Sequence, residues 1–85
     1  MTKTEILDMM IQQHSDAEGK IFLVSNDIMT DLKNNTMISI DKEGELSYKG
    51  HKIITHKLLK SDTAFLMSER DLHSTIEEFT KLLLR

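Results

Sequence analysis

The chain has no cysteine, no proline and no tryptophan, and among its 85 residues only three glycines, one tyrosine and three phenylalanines. Without cysteine there is no disulfide, no thiolate metal centre and no thiol nucleophile. The lack is compatible with a reducing cytosol, and a cytoplasmic location is the expectation. None of the three glycines forms a phosphate-cradling loop. Ser25, Ser39, Ser47, Ser61, Ser68 and Ser74 lack the Gly-x-Ser-x-Gly setting of an activated nucleophile. No apolar run approaches the roughly 18–20 residues of a membrane span. The opening Met1-Thr2-Lys3-Thr4-Glu5, with Asp8 close behind, lacks the basic-then-apolar pattern of a secretory signal. These absences weigh against nucleotide binding, covalent catalysis and membrane insertion. The expectation is a non-enzyme without cofactor.

A chain of this length reads as one domain, residues 1–85. It buries about 60–65% of its unfolded surface, so its core is modest and its stability comes from packing, supplemented by self-association.

The most informative stretch runs from Thr36 to Met67, a series of short strands between amphipathic helices. Thr2 and Glu5 have capping-box spacing, and Ile6, Leu7, Met10, Ile11 and His14 follow at helical intervals up to Gly19. Ile21-Phe22-Leu23-Val24 is continuous and apolar, as in a central strand covered on both faces. Ser25 or Asn26 then caps a short helix through about Lys33, with Ile28, Met29 and Leu32 on its buried side. Met37–Asp41 alternates, with Ile38 and Ile40 on one face, and so does Glu45–Lys49, with Leu46 and Tyr48 in register. Asp41-Lys42-Glu43-Gly44 suits a hairpin loop, and Gly50 supplies a second reversal. Lys52–Leu59 and Thr63–Met67 read as further strands. Ser68 with Asp71 caps the last helix, whose Leu72, Ile76, Phe79 and Leu83 form the core stripe. The order α-β-α-β-β-β-β-α predicts an α+β fold. It is a small two-layer domain with a mostly antiparallel sheet of four to five strands, bracketed by N- and C-terminal amphipathic helices, with the first strand parallel to a neighbour.

Charge is uneven. The chain carries a net −3, yet residues 47–67 hold Lys49, Lys52, Lys57 and Lys60 against Asp62 alone. Tyr48, Lys49, His51, Lys52, Lys57 and Lys60 are therefore candidates for a nucleic-acid surface, lysines on phosphates and the tyrosine on a base. A competing reading has the same lysines guarding a sheet edge against aggregation. A zinc site needs three or four convergent ligands. His51 and His56, five apart, point to opposite faces of one strand, and both are expected on a solvated basic surface. His14 reads as a boundary residue, and His73 as a local partner of Asp71. Asp41, Glu43 and Glu45 miss the calcium-loop pattern, because Gly44 comes too early and Lys52 stands where the final acid belongs. Asp27 and Asp31 share a helix face, more as solvated groups than as an acid–base pair. No metal is expected.

Three consecutive leucines near the C-terminus, Leu82, Leu83 and Leu84, cannot all face one sheet. With Phe79 and Arg85, Leu82 and Leu84 are candidates for contact with another protein. The six methionines, Met1, Met9, Met10, Met29, Met37 and Met67, suit adaptable packing. The passage from Tyr48 through Met67, with Lys49-Gly50, Ile53-Ile54 and Thr63-Ala64-Phe65-Leu66, resembles a strand-turn-strand passage of tailed-phage capsid proteins. It covers about twenty residues of a chain too short to be a capsid subunit. The resemblance implies a phage or mobile-element source and transfers no site. The reading is a non-enzymatic protein-interaction or regulatory module, a homodimer or a small regulator of a larger protein, with nucleic-acid binding through residues 48–60 as the alternative.

Overall fold

The computed structural model describes residues 2–14, 16 and 18–84. Its elements are α1 (Lys3–Gln13), β1 (Ile21–Val24), α2 (Asn26–Lys33), β2 (Ser39–Ile40), β3 (Leu46–Tyr48), β4 (His51–Thr55), β5 (Ala64–Met67) and α3 (Glu69–Leu83). The expected order and class are present. Local chemistry sets the helix starts. The Thr2 hydroxyl accepts the Glu5 N–H at 3.3 Å, and the Ser68 hydroxyl accepts the Asp71 N–H at 3.2 Å. At α2 the N-cap residue is Ser25, but its hydroxyl accepts the Thr63 N–H at 3.1 Å instead of one from its own helix.

The strands lie in the order β2-β3-β4-β1-β5. Phe22 pairs with Ile53 in parallel and with Leu66 antiparallel, so the sheet is mixed and not mostly antiparallel. The chain between β1 and β4 contains α2 and two further strands, long enough to bring β4 alongside β1 in the same direction.

Side chains alternate across the sheet. Phe22, Val24, Leu46, Tyr48, Ile53 and Leu66 face α1 and α2, where they enclose Leu7, Ile28, Met29, Leu32 and Ile38. Leu23 points the other way and is fully buried, on the face where α3 brings Leu72. On that face the Thr75 hydroxyl lies 3.9 Å from Met67 Sδ, and the Phe79 ring lies 4.6 Å from that of His56. The helices thus divide between the two faces, making three layers where helices on one face would make two.

All four later strands are shorter than their sequences suggest, β2 and β4 by the most. Ile38 is buried within a turn and Ile40 is exposed, leaving two residues in β2. β4 stops at Thr55 because His56 starts a turn, its Nδ1 accepting the Leu58 N–H at 3.2 Å and its carbonyl accepting the Leu59 N–H at 3.2 Å. Between β3 and β4, Lys49 and Gly50 have φ of 49° and 84°, the doubly left-handed loop of a tight hairpin closed by Tyr48 and His51.

A Cβ at Gly50 would meet nothing within 4 Å, so Gly50→Ala tests the backbone alone. It is expected to lower stability by about 1–2 kcal/mol, read as a shift in the denaturant midpoint, and an unchanged midpoint would contradict the turn. Leu23→Ala is expected to cost about 2–5 kcal/mol, whereas Leu83→Ala, on an exposed residue, should stay within about 0.5 kcal/mol. Equal losses would refute the placement of α3.

Candidate interaction surface

The fold scatters the basic segment. Tyr48 is only 2% exposed, and its hydroxyl donates to Asp8 Oδ1 at 2.9 Å. Lys49 Nζ donates to the same oxygen at 2.7 Å and lies 5.4 Å from the centre of the Tyr48 ring. The Lys49 ammonium, then the Tyr48 hydroxyl, hold the Asp8 carboxyl below its ordinary value. The hydrogen bond to Asp8 raises Lys49 in turn, and burial pushes the Tyr48 phenol up. His51 is buried, donating Nδ1–H to the Lys20 carbonyl at 2.9 Å with its ring edge-on to Phe22. Tyr48 has no free face for a base, and His51 is not on a solvated surface.

Lys52 is exposed on the face opposite His51, while Lys57 and Lys60 are exposed in the connection after β4. Lys49 and Lys57 stand at opposite ends of a strand roughly 17 Å long. The lysines do not guard a sheet edge either, since β3 and β4 are interior strands and the edges are β2 and β5. His56 packs against Phe79 and is partly buried, contrary to the solvated position expected for it.

The acidic groups serve the turns. Asp41 Oδ1 accepts the N–H groups of Glu43 and Glu45, each at 2.9 Å, and shapes the loop before β3. Asp27 accepts the Asp62 N–H at 2.8 Å, and the Ser25 hydroxyl is the main cause of its lowered carboxyl. Asp62, itself at φ 59°, receives Lys3 Nζ at 3.0 Å, which raises Lys3. Asp27 therefore clamps the loop before β5 onto the start of α2, a role with no local signal because its partner is 35 positions away. A depression of about 210 Å³ lies beside α3, lined by Ile21, Leu46, Ile53, Ile54 and Leu72 with Glu45 and Lys52 at its polar side. It is smaller than the roughly 300–1,000 Å³ of typical ligand pockets.

The apolar surface gathers elsewhere. Along α3, Leu72 is buried and Ile76 and Phe79 are partly covered, but Leu82, Leu83 and Leu84 are 55%, 45% and 82% exposed. Leu83 is thus not part of the core stripe. The fifteen residues of α3 extend roughly 22 Å, whereas the four-residue strands beneath span roughly 13 Å. The helix outruns its sheet, and its last turn has no strand to rest on. Phe79 and Leu82, three residues apart, are neighbours on the helix surface, whereas Leu84, two residues on from Leu82, does not face it, and Arg85 lies outside the described residues. Phe65 on β5, 47% exposed, was not singled out from the sequence. Its only signal was a charge-free Ala64-Phe65-Leu66-Met67, which has meaning once β5 is known to be an edge.

No family model, curated protein or solved structure matches the chain. Among the described residues no helix is long and apolar enough to cross a membrane.

The Asp8 pair predicts a pH dependence. A carboxyl lowered from 3.8 in the folded state contributes stability that is present above about pH 4 and lost as pH falls through the native value. Asp8→Asn should therefore be less stable than the parent near neutrality, with the difference narrowing below about pH 4. Urea unfolding at several pH values checks this, and a gap that stays constant with pH would refute it.

Proposed function

We propose that this chain is a small non-enzymatic protein-interaction module, of a regulatory kind, that binds through the end of α3. The observation that carries the reading is the exposed Leu82-Leu83-Leu84 turn. Three adjacent large apolar side chains in water are costly unless another surface covers them, and an apolar groove on a partner protein is the complementary shape. The half-covered Phe79 extends the patch toward the body of the domain. The other polar clusters support this reading, since Asp8, Asp27 and Asp41 are each engaged in holding a turn or a helix in place. Nucleic-acid binding through residues 48–60 has less support, because its aromatic is covered and one of its lysines is paired with Asp8. A phage source rests only on the resemblance of residues 48–67, and the proposed function does not depend on it.

Leu82→Glu with Leu84→Glu tests the reading. Both positions are exposed, so thermal stability should change little. Partners retained by the immobilised wild-type chain from its source lysate should be lost with the double variant. Retention of the same proteins by both forms would overturn the assignment of this surface.

A further inference from the structure

We infer that β5 is a self-pairing edge through which two copies of the chain join their sheets. The hydrogen-bond phase of β5 fixes which backbone groups it offers. The Ser25 N–H donates to the Thr63 carbonyl at 2.8 Å, which makes Ser25 and Thr63 a bonded position. Antiparallel pairing alternates. Leu23–Phe65 and Ile21–Met67 are then bonded positions, and Val24–Ala64 and Phe22–Leu66 are not. The N–H and C=O groups of Ala64 and Leu66 therefore point away from β1, off the edge of the sheet. None of these groups has a partner among the described residues.

Such an edge normally carries a charge, a proline or a bulge that discourages pairing. β5 has none of these, and it exposes Phe65. The complement to outward N–H and C=O groups at alternate residues is another strand with the same spacing, and a second β5 supplies it. Placed antiparallel about a two-fold axis at Phe65, Ala64 of each copy faces Leu66 of the other. Every outward group at these two positions is then bonded. Phe65 falls opposite its own symmetry mate, at the closer non-bonded spacing of about 4.5 Å between Cα atoms. The two half-exposed rings then cover each other on the α3 face.

The other edge is a poorer occupant. The Asp41 N–H donates to the Glu45 carbonyl at 3.0 Å, so within β2 only Ile40 directs its backbone outward, and Asp41, Lys42 and Glu43 follow directly. A β5-to-β2 contact would satisfy one of the two outward positions and would grow into a filament. The β5-to-β5 contact satisfies both and closes as a dimer. This surface is distinct from the end of α3 and does not rest on the function proposed for it.

Sedimentation of the full chain from about 1 μM to about 1 mM tests the inference. A monomer–dimer equilibrium is expected. Phe65→Lys and Ala64→Pro should each weaken it at least about tenfold. Ala64→Pro removes a donor that points off the sheet and so leaves the β1–β5 bonds in place. Leu82→Glu with Leu84→Glu should dimerise like the parent. Amide exchange on the unmodified chain should show protection of Ala64 and Leu66 that rises with concentration, a readout that stands even if a variant fails to fold. A monomer throughout the range would overturn the proposal, whether or not it pairs with an added foreign strand. So would a dimer indifferent to both β5 variants, one broken only by the α3 variant, or exchange at Ala64 and Leu66 that ignores concentration.

Discussion

β1 is enclosed by protein on every side, and the other elements are placed by that enclosure. Phe22 and Val24 enter the core under α1 and α2, Leu23 is sealed beneath α3, and the backbone is hydrogen-bonded to β4 on one flank and β5 on the other. Burying each of these side chains contributes about 1.5–3 kcal/mol. Among the described residues no other strand combines two covered faces with two paired flanks. β1 needs a helix on each face, which separates α3 from α1 and α2. It also needs a strand on each flank, which leaves β5 at the boundary of the sheet.

The same short strand limits what can be covered. Four residues give a sheet too narrow for a fifteen-residue helix, so α3 packs through Leu72, Ile76 and Phe79 and then continues past its support. Leu83, in line with Leu72, Ile76 and Phe79, is exposed by this difference in length, whereas Leu82 and Leu84 stand off the stripe that faces the sheet. β5 makes one ladder with β1 and, among the described residues, has no neighbour beyond it. The exposed Leu83 thus reflects the length of the strands, and the open edge of β5 reflects the strand order.

Features set within a few residues were legible in the sequence. The Thr2 and Ser68 caps, the apolar run of β1, and the reversal at Gly50 each depend on near neighbours, and all three helices begin close to their signals. What needed partners distant in the chain was not. The lysine-rich stretch looked continuous because adjacent numbers suggest one surface. Strand alternation instead sends His51 inward and Lys52 outward, and Asp8 claims Tyr48 and Lys49 from about forty residues away. His56 looked like one more strand residue, yet its ring nitrogen closes a turn. The exposure of Leu83 and Phe65 followed from helix overhang and strand order, neither of which periodicity contains.

The treatment of the two edges carries the argument about surfaces further. β2 is cut to two residues and followed at once by a charged loop that Asp41 folds back on itself. That is how a sheet ends when its edge faces water. The basic segment's lysines sit on an interior strand and in loops, and β5 is left uniformly apolar, its outward amides without a partner among the described residues. A small domain that closes one edge and leaves the other open is asymmetric in its exposure to strand addition. The open edge is also the one whose bonding phase repeats under a two-fold rotation. Pairing there would remove the aggregation hazard without any guarding charge, so the lack of a guard on β5 and its self-complementary register are explained by one contact.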